Sequence, residues 1–257
     1  MSEHVRVEKT GPVLAITLAR PERRNAITVA MYAALAEAVE GAAADPSLRV
    51  ITFRGEGQDF AAGNDLADFL TALPRDGDEI PVWRLLRAIV NCDVPKVAAV
   101  HGNCVGIGTT ALLHCDLVVA EEGARFSLPF VDLGLVPEAA SSLLLPRLAG
   151  RRRAARYLLL AEPFGVEEAL EIGLVSHVAA PGALEARLDE LVAALLAKPP
   201  EALRQAQRLL RHGARDEVLE RMRLEGTAFA ERLASPEVKE AIGAFFEKRK
   251  PDFSSFR

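Results

Sequence analysis

The sequence predicts an α/β fold, because runs of β-branched residues alternate with amphipathic helical stretches along most of its 257 residues. Half of the residues are hydrophobic and 26% are charged, an ordinary globular composition at a length that supports a large buried core. The last third differs, since its helix-start patterns are not followed by strand runs. We therefore expect an α/β body with a helical C-terminal region.

The first elements are two strands, a helix and a third strand. Residues 5–8 and 13–18 are β-branched runs separated by a Gly-Pro turn. A helix is expected to begin near Thr28, whose hydroxyl can cap its first turn, and to loosen at Gly41. Residues 50–53 form the next strand pattern. This order is typical of crossover connections in a parallel sheet.

The pattern then recurs with a glycine-rich turn inside it. Residues 96–100 and 117–120 predict strands, and residues 110–115 predict a helix between them. In the tail, Pro200 starts a predicted helix, and Ser235 caps another in a Ser-Pro-Glu start. The tail is amphipathic, so one face of it needs a partner surface.

Charge and cysteine content exclude several classes of protein. The chain has 31 basic and 36 acidic side chains, a net charge of −5, so no nucleic-acid partner is expected. Its three cysteines form no C-x-x-C pair, which is typical of reduced thiols. We find no signal-peptide pattern and no run near about 18 apolar residues. The histidines share no metal-ligand spacing. We therefore expect a cytoplasmic protein without a metal or a membrane contact.

Two glycine loops are the first candidates for a functional site. Residues 102–108 have the spacing G-x-x-x-G-x-G, which is not the dinucleotide fingerprint, and no lysine follows to make a phosphate loop. Residues 60–66 form a second loop of small residues after a strand. Either can be an ordinary glycine turn. Together, their backbone N–H groups can converge on one developing oxyanion.

These loops belong to a set of motifs that resembles the crotonase (enoyl-CoA hydratase/isomerase) superfamily over nearly the whole chain. The motifs are residues 20–26 (RPERRNA), 60–66 (FAAGNDL), 102–108 (GNCVGIG), 164–169 (FGVEEA), 173–175 (GLV) and 245–250 (FFEKRK). The resemblance implies a spiral core of repeated ββα units over residues 1–196. It also implies a helical C-terminal oligomerisation region over residues 197–257, which builds a homotrimer or a dimer of trimers.

The resemblance also implies an acyl-CoA thioester substrate and no separate cofactor, since coenzyme A is part of the substrate. The oxyanion hole then falls on the backbone N–H groups of Asn64 and Ile107. The implied substrate-binding residues are Arg23, Arg24, Ala26, Ala62, Asp65, Leu66, Gly106, Phe130, Phe245 and Lys248. Independently of the family, Asp65 is expected to fix its loop through Asx-type backbone hydrogen bonds.

The chain departs from the hydratases of this superfamily at their two catalytic glutamates. Thr110 and Phe130 occupy those positions, and neither can act as a carboxylate base. Residues 129–142 instead resemble the peroxisomal-type Δ3,Δ2-enoyl-CoA isomerase branch, which implies that Glu138 is the catalytic acid/base. Apolar neighbours are expected to raise its pKa. The alternative is an exposed glutamate at a helix N-terminus. Asp132 is a weaker candidate.

The expected function is therefore an enoyl-CoA isomerase that shifts a 3-enoyl-CoA double bond to the 2-position in fatty-acid or related acyl-CoA metabolism. Glu138 moves the proton, and the two N–H groups stabilise a dienolate. One alternative is an enoyl-CoA hydratase that uses Glu138 with a bound water. The other is an acyl-CoA-binding homologue without catalysis, motivated by the loss of both hydratase glutamates. Fold alone does not decide among them, because function depends on the site.

Overall fold

The structure is a computed structural model that describes residues 2–68 and 80–256. The strands are β1 (Val5–Thr10), β2 (Val13–Leu18), β3 (Val50–Gly55), β4 (Lys96–Val100), β5 (Asn103–Val105), β6 (Leu117–Glu121), β7 (Arg125–Ser127), β8 (Phe164–Gly165) and β9 (His177–Ala179). The helices of the body are α1 (Val29–Ala44), α2 (Pro81–Asn91), α3 (Ile107–Leu112), α4 (Ser141–Ala149), α5 (Arg151–Leu159), α6 (Val166–Glu171) and α7 (Leu184–Leu196). The tail helices are α8 (Pro200–Arg211), α9 (Arg215–Leu233) and α10 (Pro236–Phe246).

The larger sheet has the strand order β1-β2-β3-β4-β6-β9 within the described residues. β1 and β2 are antiparallel, and every later pair in this sheet is parallel. Parallel neighbours need crossover connections, which the helices supply. The predicted α/β fold is confirmed.

A smaller sheet, β5-β7-β8, runs beside the larger one. β4 leads into β5 and β6 leads into β7, so successive strands of one sheet continue into strands of the other. A parallel β-bridge between Ala61 and Cys104 places the segment after β3 beside β5 of the smaller sheet. The repeated unit is therefore strand, strand, helix, as the predicted spiral requires.

Both faces of the larger sheet are covered, as a parallel sheet requires. In β4, Ala98 and Val100 face the main core. Val97 and Ala99 face a second apolar cluster against Leu188 of α7. This burial explains why the predicted strand 96–100 reads as continuously apolar after its first residue.

Lys96, at the start of β4, is fully buried. Its Nζ donates hydrogen bonds to the carbonyl oxygens of Cys92, at 2.7 Å, and Val94, at 3.1 Å. Its backbone N–H donates to Asp116 at 2.7 Å. Asp116 also accepts from Gln207 and Arg211 of α8 at 2.6 and 3.0 Å. The tail thus docks on its own body through the half-buried carboxylate of Asp116.

Several local predictions are confirmed and one is wrong. The Thr28 hydroxyl caps α1 by accepting from the Met31 N–H at 3.2 Å, and Ser235 caps α10. The predicted helix 110–115 instead begins at Ile107. The positive φ of Gly106, 55°, turns the chain directly into the helix, which apolar periodicity alone does not reveal.

Two negative findings apply to the described residues. No helix among them is long and apolar enough to cross a membrane. Residues 2–68 and 80–256 also contain no group of three or more His, Cys, Asp or Glu side chains placed to hold a metal ion.

Gly102 allows the close approach between the β4–β5 turn and the segment before Phe60. Its φ is +57°, and an added Cβ would lie 2.0 Å from the Gln58 carbonyl oxygen. Gly102→Ala is therefore expected to lower the free energy of unfolding by more than about 3 kcal/mol, through steric overlap added to the left-handed strain. Urea denaturation measures the change.

Gly123→Ala is the matched control, because Gly123 also has a positive φ, +88°, but has open space around its Cβ position. It is expected to cost only about 1–2 kcal/mol. Equal costs for the two variants would show that crowding at Gly102 is unimportant.

Candidate active site

Glu138 lies in the segment before α4 and is 6% exposed. The Thr110 hydroxyl donates a short hydrogen bond to its Oε1. Its Oε2 is buried and has no hydrogen-bond partner among the described residues. The alternative of an exposed glutamate at a helix N-terminus is therefore wrong. One carboxylate oxygen is held, and the other is left for another molecule.

Burial raises the pKa of Glu138 to about 8. The Thr110 hydrogen bond opposes this rise, because it favours the ionised form, and the negative charge of Glu225 adds to it. A carboxyl group with a pKa in this range can both take and return a proton near neutral pH. Thr110, at a position where hydratases carry a glutamate, thus contacts Glu138 instead of supplying a second carboxylate.

The two glycine loops bring two backbone N–H groups to the cavity that Glu138 lines. Asn64 and Ile107 line this cavity together with Glu138. The neighbouring Asp65 and Gly106 N–H groups donate to Ile27 and Ser127 carbonyl oxygens, at 2.9 Å each. In the described part of the chain, no acceptor is found for the N–H of Asn64 or Ile107. Two free donors and a buried carboxyl therefore share one cavity.

The first loop is held by the motif at residues 20–26. Arg20 donates to the Asp65 carboxylate at 2.8 Å, and Asn25 donates to the Asp59 carbonyl oxygen at 2.7 Å. Asp65 also accepts from the Asp68 N–H at 3.2 Å, which confirms the predicted Asx-type bond. The Ala62 N–H donates to the Arg24 carbonyl oxygen at 2.9 Å. These bonds hold the loop that carries Asn64.

The cavity beside Glu138 is small and has mostly apolar walls. Its large side chains are Tyr32 of α1, Trp83 of α2 and Phe229 of α9. Gly226 of α9 lets the indole of Trp83 pack closely, since an added Cβ would lie 2.7 Å from the ring. Such walls suit an apolar group.

Tyr32, Trp83 and Phe229 are site residues that sequence reasoning missed. The Tyr32 hydroxyl donates a short hydrogen bond to the Asn64 side-chain oxygen. Burial and the nearby Glu138 charge raise the pKa of Tyr32, so its hydroxyl stays protonated. In the sequence each of these aromatics reads as an ordinary core position on an apolar helix face, and no motif marks them.

An open cleft adjoins the cavity at Asn64, Ile107 and Phe229. It contains most of the predicted substrate-binding residues: Arg23, Ala26, Ala62, Asp65, Leu66, Gly106, Phe130 and Phe245. Asp132 also lines it. The cleft and the cavity therefore share three lining residues.

Arg24 and Lys248 do not line this cleft in the single chain. The Arg24 side chain is 74% exposed and lies 3.8 Å from the Asp59 carboxylate. Lys248 lies two residues after the end of α10 and has a left-handed φ of 55°, while the next two residues, Arg249 and Lys250, line the cleft. The tail motif therefore reaches the cleft through different basic residues than the resemblance implies.

Comparison with known proteins identifies close relatives. A family model described as enoyl-CoA hydratase/isomerase matches residues 8–256. A 2,3-dehydroadipyl-CoA hydratase of Escherichia coli K12 is 34% identical over 256 residues, 98% of this chain and 99% of the relative. A 1,2-epoxyphenylacetyl-CoA isomerase of the same organism is 32% identical over 250 residues, 94% of this chain and 95% of the relative.

Solved structures agree with the sequence relatives. The crystal structure of an enoyl-CoA hydratase/isomerase from Pseudoalteromonas atlantica T6c is similar, with a TM-score of 0.93 and 41% identity. The match covers 98% of this chain and 100% of that chain. These findings confirm the superfamily resemblance. The relatives carry hydratase and isomerase names, so the narrower isomerase branch stays a prediction.

The buried carboxyl of Glu138 makes folding stability depend on pH. Between its ordinary pKa of 4.5 and the folded value of about 8, the folded state keeps a proton that the unfolded state has released. The free energy of unfolding therefore falls as pH rises through this window. Glu138→Gln cannot ionise, so its stability relative to wild type is expected to rise by on the order of 5 kcal/mol across the window.

Urea denaturation at several pH values measures this difference. Glu217→Gln, a change at an exposed surface ion pair with Arg147, is the control and should follow the wild-type pH curve. Parallel curves for wild type and Glu138→Gln would contradict the raised pKa.

Proposed function

Because the chain belongs to the enoyl-CoA hydratase/isomerase family, we propose that it is an enoyl-CoA isomerase that converts a 3-enoyl-CoA to a 2-enoyl-CoA. The observation that carries this proposal is the buried carboxyl of Glu138, the one acidic side chain that lines the cavity among the described residues, with one free oxygen and with two residues whose backbone N–H groups are unpaired, Asn64 and Ile107, lining the same cavity. An isomerase needs one group that takes a proton and returns it. It does not need a second carboxylate to orient water.

In the proposed reaction, the ionised Glu138 takes a proton from C2 of the substrate. The C–H electron pair moves into the thioester, and the negative charge gathers on the carbonyl oxygen of a dienolate. The N–H groups of Asn64 and Ile107 donate to this oxygen. One such donor typically stabilises a transition state by about 3–4 kcal/mol.

The same carboxyl then completes the reaction. Protonated Glu138 gives its proton to C4, the thioester carbonyl re-forms, and the double bond ends between C2 and C3. C2 and C4 lie on one allylic face, so one carboxyl reaches both. All atoms and electrons balance without a cofactor, apart from the coenzyme A that the substrate carries.

The acyl group is proposed to lie in the cavity among Tyr32, Trp83 and Phe229. Coenzyme A then runs along the open cleft, where Arg23 and Lys250 can meet its phosphates and Phe245 its adenine. The apolar cavity and the basic rim thus match the two ends of an acyl-CoA.

Hydration of a 2-enoyl-CoA is the second candidate function. The Escherichia coli relative named 2,3-dehydroadipyl-CoA hydratase favours it. In this alternative, the free oxygen of Glu138 activates a water molecule. The replacement of a hydratase glutamate by Thr110 argues against it, because only one carboxyl then remains to activate and orient the water.

Glu138→Gln distinguishes chemistry from binding. The variant keeps the shape of the side chain but cannot take a proton, so turnover is expected to fall by about 10²–10⁴-fold, with acyl-CoA affinity retained. Wild-type kcat/KM should rise about tenfold per pH unit up to a pH of about 8, where the ionised base predominates.

The test follows 3-enoyl-CoA isomerisation and 2-enoyl-CoA hydration with one purified preparation, with Glu217→Gln as control. If the preparation hydrates 2-enoyl-CoA faster than it isomerises 3-enoyl-CoA, the isomerase proposal is wrong and the hydratase is the better assignment. Near-wild-type turnover of Glu138→Gln in both reactions would remove Glu138 from the mechanism.

We also propose that the chain assembles as a homotrimer or a dimer of trimers. Large apolar side chains remain exposed on the single chain. Leu209 and Leu210 of α8 are 74% and 81% exposed, and Leu159 of α5 is 67% exposed. Exposed apolar residues of this kind are typical of subunit contacts. Light scattering at micromolar concentration is expected to give a multiple of three chains, and a stable monomer would contradict the proposal.

A further inference from the structure

The turn that follows Glu138 is strained. Ala139 and Ala140 both have left-handed backbone conformations, with φ of 57° and 56°. Residues with a Cβ rarely adopt this conformation, and strain of this kind persists only when surrounding groups hold it. Two successive strained residues beside a catalytic carboxyl therefore raise the question of what holds them.

Glu225 of α9 holds the turn from one side. Its Oε2 accepts from the Ala140 N–H at 2.6 Å, and its Oε1 accepts from the Ser142 N–H at 2.9 Å. Ala140 precedes α4 and has no side chain that could cap it, so the Glu225 carboxylate serves as the cap from 85 residues away. Glu225 is 7% exposed.

His114 holds the turn from the other side. Its Nε2 lies 2.8 Å from the Ala139 carbonyl oxygen, which can only accept, so Nε2 carries the proton and donates. Burial lowers the pKa of His114 to about 4, which keeps the ring neutral. The backbone directly after Glu138 is therefore fixed by side chains from two distant parts of the chain.

We propose that Glu225 is a positioning residue, whose carboxylate fixes the strained turn and thereby aims the free oxygen of Glu138 at the substrate. This inference rests on the proposed function, in which Glu138 carries the proton. Glu225 lines neither the cavity beside Glu138 nor the open cleft.

The hydrogen bonds at both carboxyl groups favour an ionised Glu225 beside a protonated Glu138, because both oxygens of Glu225 accept from N–H groups and Oε2 of Glu138 has no partner among the described residues. Burial raises the pKa of Glu225, and the hydrogen bonds from Ser142 and Ala140 and the Arg221 guanidinium oppose that rise. Glu138 faces the Thr110 hydroxyl, the Tyr32 hydroxyl and the Glu225 charge. The negative charge of Glu225 raises the pKa of Glu138, since it disfavours a second negative charge nearby.

Glu225→Gln is the first test, because the amide has one acceptor where the turn needs two. Its NH₂ group would face a backbone N–H, and the turn would shift. We expect kcat to fall about 10–100-fold, the scale of a small misplacement of a catalytic group, with KM changed less than about threefold. Glu217→Gln, on the same helix but at an exposed ion pair, is the control and should leave kcat unchanged.

A double variant separates positioning from a general structural role. If Glu225 acts through Glu138, adding Glu225→Gln to Glu138→Gln should cost less than about twofold further activity. Losses that multiply would overturn the proposal. Glu225→Asp, which keeps the charge on a shorter side chain, should also lower kcat. It replaces Glu225→Gln in these measurements if that variant does not fold.

A spectroscopic titration tests the proposal without activity. The infrared band of the protonated Glu138 carboxyl, assigned by its loss in Glu138→Gln, reports the titration midpoint. The midpoint should fall in Glu225→Gln, because a nearby negative charge is lost, while Glu217→Gln keeps it. An unchanged midpoint with unchanged kcat would show that Glu225 is only a structural anchor. If the wild type catalyses neither reaction, the proposed function fails, and the titration still decides the role of Glu225.

Discussion

The burial of one carboxyl group, that of Glu138, sets the requirements for the rest of the site. A buried carboxyl that must exchange a proton cannot be fully satisfied by hydrogen bonds, because each bond to the ionised form would lower its pKa. The structure gives it one bond, from Thr110, and leaves Oε2 without a partner. Apolar walls, two free N–H groups and a rigid turn are then needed around it.

The sequence predicts much of this arrangement where the chemistry is carried by short motifs. The glycine loops, the RPERRNA segment and Glu138 each lie within a recognisable local pattern, and the α/β alternation follows from strand and helix periodicity. The Asx bond of Asp65 and the caps at Thr28 and Ser235 are also local, so residue type and position suffice to predict them.

The parts that the sequence does not predict are those that depend on distant contacts. Periodicity shows that one face of α9 is buried, but it does not show that Phe229 walls the cavity or that Glu225 caps another helix. Trp83 and Tyr32 lie on apolar helix faces that read as core. The exposure of Leu209 and Leu210 also cannot be predicted from the sequence, because the spacing of leucines in a helix does not show which surface they contact.

The placement of α9 has a consequence for how such an enzyme diversifies. Gly226 and Phe229, which shape the acyl cavity, share one helix with Glu225, which contacts the turn after Glu138. A substitution that reshapes the cavity displaces the same backbone that supports the turn. Under the proposed function, the shape of the acyl cavity and the rate of proton transfer therefore depend on the same helix, so a substitution in α9 that alters one is expected to alter the other.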